Sequence, residues 1–280
     1  MAEFTMRGRL QAAIVALIGN WVPLLTPAAV ALVTLRAGWH NGVLISLWGV
    51  LPAVLMLGFS QIDPLVPIVV VNGVVLTFLL ALVLGSTGSW ARSLMAAVAL
   101  ATLMALGQLS FMPETVEVVI DNLARMTEQM QTDEADNALA PLGKAFAVGL
   151  IAYVIAFSST LGLIVGRWWQ ALLYNPGGFA EEFRTLKLSA PQAVVCMAAG
   201  IYSLFQGPDY SIWSALFTLP LLFAGLAIVH RVVALKKLGV QWLVLFYIAL
   251  FVLDPVSQLL VVLAFLDTWL DVRGRVQPKA

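Results

Sequence analysis

The residue best placed to do chemistry is Asp254, because it is the one carboxylate deep within an apolar stretch of the chain. An acid at membrane depth is costly, which makes it a candidate for ion or proton coupling. The pair Asp254-Pro255 is also a helix-start signal, in which the carboxylate caps the helix that follows. Capping is the simpler interpretation, and both can hold together.

Four amide side chains lie in similarly apolar surroundings and could bind a small solute together with this acid. Amides can hydrogen-bond a solute, but they can equally hydrogen-bond one another across helices. Both interpretations stay open for each amide. The candidate intramembrane polar site consists of Asp254, Asn20, Asn72, Gln108 and Gln258.

No motif in the sequence predicts an enzyme. There is no GxSxG, HExxH, Walker glycine loop or paired-carboxylate pattern. His40 and His230 lie at the ends of apolar stretches, away from any set of cysteines or acids with metal-ligand spacing. We therefore predict no metal and no cofactor. The 15 basic and 15 acidic residues balance, without a basic patch, so no nucleic-acid partner is expected.

The composition predicts a single integral membrane domain over residues 1–280, with the lipid bilayer as its first partner. Hydrophobic residues make up 61% of the chain and charged residues 11%, against about 25% charged in soluble domains. Uninterrupted apolar runs predict an all-α polytopic protein with a six-helix transmembrane core. The six runs are Asn41–Phe59, Leu65–Leu84, Trp90–Phe111, Leu139–Val165, Ala190–Gln206 and Tyr210–Val229.

A further apolar stretch at each end of the chain is interrupted in its middle. Asn20, Pro23 and Pro27 interrupt residues 10–35, and Asp254-Pro255 interrupts residues 240–266. Proline removes a backbone donor and clashes one turn back, so it can break a helix. Each stretch is either one kinked crossing or a broken or re-entrant hairpin, and hairpins bring the total to about eight helical membrane segments.

The distribution of lysine and arginine favours the hairpins. Cytoplasmic loops carry an excess of these residues. Hairpins at both ends put 13 of the 15 basic residues on the cytoplasmic side, whereas single crossings put 7 of 15 there. The hairpin topology places both termini in the cytoplasm.

The same topology places residues 113–137 outside the cytoplasm. This segment holds seven acids and one arginine. Its apolar residues recur at steps of three and four, which predicts an amphipathic helix on the membrane surface.

Residues 166–189 form the longest charged and aromatic insertion on the cytoplasmic side. Trp168 and Trp169 suit the level of the lipid headgroups. Phe179 and Phe183 lie one helical turn apart after a Pro-Gly-Gly turn, which predicts a short amphipathic helix. This loop is either an interface anchor or a docking surface for a cytoplasmic protein.

The segments RWWQALLYNPGGFAEEFRTLKLS and LAFLDTWLDVRGR resemble the YybS-like family of predicted bacterial inner-membrane proteins, and the resemblance extends over essentially the whole chain. That family is grouped with the S components of energy-coupling-factor transporters and with the cell-shape protein MreD. The resemblance implies a six-helix core in a bacterial inner membrane. It also implies that Ala12 and Ala16, which match a small-residue motif of S components, could meet a partner helix.

Two functions follow as expectations. The first is a transporter-like solute-binding or permease subunit, with a small solute and a membrane protein as partners. The alternative is a non-catalytic scaffold, similar to MreD, that recruits envelope or cytoplasmic machinery through the loop at residues 166–189.

Overall fold

This computed structural model describes residues 1–58, 65–130 and 143–271, except for the side chains of 127–130 and 254. The described residues form thirteen α-helices and no strand. In chain order these are α1 Ala2–Met6, α2 Arg9–Ile18, α3 Leu25–Ala37, α4 Trp39–Leu57, α5 Leu65–Thr87, α6 Trp90–Phe111, α7 Pro113–Met130, α8 Lys144–Tyr174, α9 Gly178–Thr185, α10 Ala190–Phe205, α11 Ser211–Leu235, α12 Val240–Val252 and α13 Asp254–Leu270.

The helices confirm the prediction of an all-α polytopic membrane protein. Among the described residues, five helices are long and apolar enough to cross a bilayer, namely α4, α5, α6, α8 and the span that contains α11. Two bent pairs, α9 with α10 and α12 with α13, raise the number to seven if each pair counts as one span. The fifth predicted span, Ala190–Gln206, corresponds to α10, which reaches the necessary length only with α9.

The N-terminal apolar stretch is broken at the place that the sequence indicates. Helix α2 ends at Ile18, one 3-10 turn covers Gly19–Trp21, and α3 begins at Leu25. Leu24, between them, has a φ of 66°, a conformation that bulky residues rarely adopt. With 13 residues, α3 is about 20 Å long, too short for a hydrocarbon core of about 30 Å.

The C-terminal stretch is broken at Asp254-Pro255, again as the sequence indicates. Helix α12 ends at Val252, and its axis makes an angle of 112° with that of Pro255–Leu270. Helix α12 buries none of its residues, whereas Leu260, Ala264 and Asp267 of α13 are buried. Helix α13 therefore belongs to the bundle, and α12 lies at its edge.

Helix α3 lies at the centre of one half of the bundle. Its residues from Ala28 to Leu32 have no exposed surface at all. The helices that surround it are α2, α4, α5 and α8. A helix with buried residues on every side is typical of the core of a large or membrane-spanning protein.

Glycines on the two neighbouring helices allow α3 to approach closely. A Cβ atom on Gly162 of α8 would lie 2.5 Å from Pro27, and one on Gly166 would lie 2.5 Å from Ala31. On the other side, Gly49 of α4 faces Thr26 at a similarly short distance. Small residues four positions apart are a common means of close helix packing in membranes.

Helix α7 is the described part of the predicted acidic helix, and residues 131–137 lie outside the described residues. Val116 and Val119 are buried and pack into the main core, whereas Glu114, Glu117 and Asp121 are exposed. Residues 113–126 are thus amphipathic in the structure, and their apolar face packs on the protein itself.

The glycine contacts predict opposite effects for two glycine substitutions. Gly166→Ala should lower the free energy of unfolding by about 1–3 kcal/mol, because the added methyl group overlaps Ala31. Gly107→Ala in α6 meets open space, so it should be neutral or stabilise by up to about 1 kcal/mol through helix propensity. Thermal unfolding in detergent, followed by circular dichroism, measures both. Equal melting temperatures for the two variants would contradict the packing argument.

Candidate functional site

The four predicted amides have different surroundings. Asn20 makes contacts between helices, since its amide nitrogen donates to the carbonyl of Gly49 at 2.9 Å and to those of Ala16 and Leu17 at 3.4 Å. These hydrogen bonds hold the chain at the break after α2 against α4. Gln258 is exposed on α13. The side chain of Asp254 lies outside the described residues.

Two of the predicted amides have buried polar atoms without a partner. The amide nitrogen of Asn72, and both amide atoms of Gln108, make no hydrogen bond with the described residues. The buried hydroxyl of Thr160 on α8 also makes no hydrogen bond with the described residues. An unsatisfied buried polar atom is costly, so these three residues are places where a solute or water could bind. They lie on α5, α6 and α8 respectively.

Helix α8 extends further than the sequence indicates, and this determines the shape of the predicted loop. The expected span ends at Val165, but α8 continues to Tyr174, so Trp168 and Trp169 lie on its last turns. A turn at Asn175–Gly177 follows, in which Gly177 has a φ of 89° that glycine adopts readily. Helix α9 then covers Gly178–Thr185 as the predicted short helix.

The aromatic face of α9 is turned toward the protein. The ring of Phe179 lies 5.9 Å from that of Trp90 in an edge-on contact, and the ring of Phe183 lies 5.4 Å from that of His230. Both phenylalanines are half-buried and pack against the main core. Trp168 is different, with half of its surface exposed.

A cavity of about 710 Å³ lies under α9, between α8, α11 and α12, and we call it the α9 cavity. Its lining is mostly aromatic and aliphatic, with a small number of polar groups. The lining residues that the argument uses are Tyr153, Phe157, Trp168, Ala180, Arg184, Phe223, His230 and Tyr247. None of the four predicted amides is among its lining residues.

Three polar side chains of the α9 cavity lie where α9 meets α11 and α12, and Ser257 of α13 is a further polar lining residue. A ring nitrogen of His230 lies 2.8 Å from the hydroxyl of Tyr247, which joins α11 to α12. Arg184 of α9 lines the same part of the cavity, beside Phe183. The opposite part is aromatic, with Phe157 stacked on Tyr153 at 5.7 Å and 6.2 Å from Phe223.

An ion pair fixes the position of α9 above the cavity. The guanidinium of Arg167 on α8 donates to both carboxylate oxygens of Glu182, with Nε at 3.0 Å. The same carboxylate accepts from the indole of Trp90 on α6 at 3.5 Å. The amide of Gln170, which accepts from Arg167, donates to the carbonyl of Leu35 at 3.3 Å. Four helices therefore meet at this pair.

The small residues predicted to face a partner helix are buried within the chain. Ala12 has 2% of its surface exposed and Ala16 has none. They pack with Val30, Ile45 and Val74, and Thr26 donates to the carbonyl of Ala16 at 2.8 Å. Their small size thus serves packing between α2, α3 and α4.

Sequence reasoning missed the residues that make the α9 cavity. Tyr153, Phe157, Leu161, Ile164 and Trp168 follow one another at steps of three and four, so they form one stripe along α8. The stripe could have been found, but in a membrane protein an apolar stripe can face lipid, another helix or a cavity. No set of three or more His, Cys, Asp or Glu able to hold a metal ion occurs among the described residues.

No protein-family model, curated protein or solved structure matches this chain. The resemblance to YybS-like proteins, S components and MreD therefore stays a prediction, and the arguments for function below rest on the geometry of the site.

The ion pair predicts how α9 responds to two neighbouring substitutions. Glu182→Gln should weaken the contact with Arg167 and increase amide hydrogen exchange in residues 178–185. The cost in stability should be about 1 kcal/mol, because Glu182 is partly exposed to solvent. The matched control is Glu181→Gln, since Glu181 is exposed on the same helix. If both variants exchange like the parent protein, the pair does not hold α9.

Proposed function

We propose that this integral membrane protein is a transporter-like solute-binding or permease subunit, and that the α9 cavity is its binding site. The observation that carries the proposal is the cavity itself. Its volume of about 710 Å³ lies within the roughly 300–1,000 Å³ typical of ligand sites. Its lining, mostly apolar with a small number of polar side chains, is also typical of such sites.

The position of the cavity supports a solute that enters from within the bilayer. Helix α12 forms one wall, and it buries none of its 13 residues. The hydrogen bond between His230 and Tyr247 joins this wall to α11. A peripheral helix with few buried contacts can move at low cost, because little apolar surface has to be re-exposed. Movement of α12 would open the cavity sideways to lipid.

The alternative function, a scaffold that recruits other proteins through residues 166–189, receives less support. That function predicts an apolar surface of Phe179 and Phe183 turned to the cytoplasm. Both rings are half-buried and face the cavity, so binding to them fits a solute better than a docked protein. Trp168 and Glu181 remain exposed on this surface.

Filling the cavity should abolish solute binding without unfolding the protein. Ala180 of α9 lines the cavity, so the large side chain of Ala180→Trp should occupy part of its volume. Ala198→Trp on the exposed side of α10 is the matched control. Mass spectrometry of small molecules released from the purified proteins should show a compound that the parent and Ala198→Trp retain and Ala180→Trp loses. The same molecules in all three, with similar melting temperatures, would reject the cavity as the site.

We also propose that the protein lies in a bacterial inner membrane with both termini and α9 on the cytoplasmic side and α7 on the outer side. The count of lysines and arginines supports this orientation. It places the polar end of the α9 cavity at the cytoplasmic surface.

Single-cysteine labelling tests the orientation. Cys196 is the only cysteine of the chain, so a Cys196→Ala background is free of thiols. Glu181→Cys in this background should react with a membrane-impermeant maleimide in inside-out vesicles and not in intact spheroplasts. Glu117→Cys on the exposed side of α7 should show the reverse. Labelling of Glu181→Cys in spheroplasts would overturn the orientation.

A further inference from the structure

We propose that the α9 cavity binds an uncharged lipid whose head group is a planar ring with carbonyl oxygens, as in a quinone, and whose apolar chain lies along α8. This inference rests on the proposed function, because it names the class of solute for the same site. It follows from the hydrogen bond between His230 and Tyr247, from the aromatic rings beside it, and from the length of the lining on α8.

The pair of His230 and Tyr247 keeps a hydrogen-bond donor for a ligand. The Nε2 atom of His230 lies 2.8 Å from the hydroxyl of Tyr247, and neither side chain makes another hydrogen bond with the described residues. A neutral imidazole carries one N–H and a phenol carries one O–H. Their mutual hydrogen bond uses one of these protons, whichever tautomer is present. Because both side chains line the cavity, the carbonyl oxygen of a ligand can accept the proton that remains.

The rings around this pair favour a flat head group. The ring of Phe183 contacts that of His230 edge-on, with centroids 5.4 Å apart, and the ring of Phe179 lies 5.9 Å from that of Phe183. The ring of Tyr247 lies 5.9 Å from that of His230. These four rings form a connected aromatic wall, and contact between two rings is worth more than the area that it buries. A planar ring with carbonyl oxygens can therefore contact the wall and accept a hydrogen bond from it.

The lining favours a ligand without a net charge. Nine of its 21 described residues are aromatic, and most of the others are aliphatic. No acid occurs among them, so a cationic head group would have no carboxylate partner. A buried charge without a partner costs much more free energy than a buried carbonyl group that accepts a hydrogen bond. An uncharged head group needs neither an acid nor the guanidinium of Arg184, which also lines the cavity.

The length of the cavity indicates that the ring carries an apolar chain. The lining follows α8 from Tyr153 to Leu172, which corresponds to about 28 Å at 1.5 Å per residue. Along this path the rings of Tyr153, Phe157 and Phe223 are connected, with centroids 5.7 and 6.2 Å apart. A compact ring alone would leave most of this apolar length empty, whereas a lipid chain can fill it.

The wall formed by α12 gives such a lipid a direct route. A lipid already resides in the bilayer, and it can enter sideways past α12, which buries none of its residues. Its ring then meets Tyr247 on that helix and His230 on α11. The apolar chain never has to pass through water, which would be costly in proportion to its exposed area.

The test compares ligands that share a decyl chain and differ in the head group. Decylubiquinone has a ring with carbonyl oxygens, decylbenzene a ring without oxygen, decanol an oxygen without a ring, and decyl phosphate a charge. The full-length protein in maltoside detergent is retained on an affinity resin, and the bound ligand is quantified by mass spectrometry over a series of ligand concentrations. Detergent without protein is the blank.

The variants separate the hydrogen bond from the cavity. The double variant of His230→Phe with Tyr247→Phe removes both hydrogen-bonding groups and keeps two rings. The matched control is His40→Phe with Tyr202→Phe, since these residues are exposed on α4 and α10 and do not line the cavity. Ala180→Trp fills the cavity. Melting temperatures show that each variant is folded, and the comparison of ligands in the parent protein tests the head group independently of any variant.

The parent and the control should bind decylubiquinone about fivefold more tightly than decylbenzene, because a neutral hydrogen bond is worth about this factor. They should prefer decylubiquinone to decanol by a similar factor, because decanol lacks the ring contacts. Decyl phosphate should bind more weakly than decylubiquinone. The double variant of His230 and Tyr247 should bind decylubiquinone no more tightly than decylbenzene, and Ala180→Trp should lose decylubiquinone.

Each contrary result has a separate meaning. Decylbenzene that binds the parent as tightly as decylubiquinone, with both lost in Ala180→Trp, would overturn the carbonyl head group and leave the proposed solute site intact. Decanol that binds as tightly as decylubiquinone would overturn the planar ring, and tighter binding of decyl phosphate would overturn the uncharged ligand. Unchanged binding of decylubiquinone in Ala180→Trp would overturn the cavity as the site, and with it the proposed function.

Discussion

Helix α3 can lie inside the bundle because α8 presents Gly162 and Gly166 to it. Neither position has room for a Cβ atom, so the backbones of the two helices come within reach of each other's side chains. In lipid there is little hydrophobic drive to associate helices, and close van der Waals packing takes its place. The contact buries a helix that is too short to cross a bilayer by itself.

From this contact, polar interactions extend to the candidate site. Gln170 joins the carbonyl of Leu35 on α3 to Arg167, and Arg167 joins α8 to Glu182 of α9. The position of α9 above the cavity is thus set by the same helix that packs on α3. One wall, α12, lies outside this network and is joined to α11 through His230 and Tyr247. The cavity therefore combines two well-packed walls, α8 and α11, with α9, which the ion pair holds in place, and with the peripheral helix α12.

The residues of the candidate site show which signals a sequence carries. Asp254 and the four amides stand out because polar groups are rare in apolar stretches, but rarity does not say what lies opposite them. Asn20 fastens a helix break, whereas Asn72 and Gln108 keep buried atoms without partners among the described residues. Phe179 and Phe183 lie on one face of the short helix α9. Both rings face the cavity because α8 continues to Tyr174. The charged Arg167 made the span look as if it ended at Val165, so the sequence did not predict this direction.

The sequence by itself determined the membrane class, the helical spans and both breaks, since these depend on local composition, on proline geometry and on the distance across a bilayer. It also determined the amphipathic character of α7 and α9, because a helical period is visible in a single segment. The tertiary structure alone decided that α3 is the central helix, that Ala12 and Ala16 pack within the chain, and that aromatic residues of α8, α9, α11 and α12 enclose a cavity. These features arise from contacts between segments far apart in the chain, and in an apolar sequence no side chain reveals by its type whether it faces lipid, protein or an internal space.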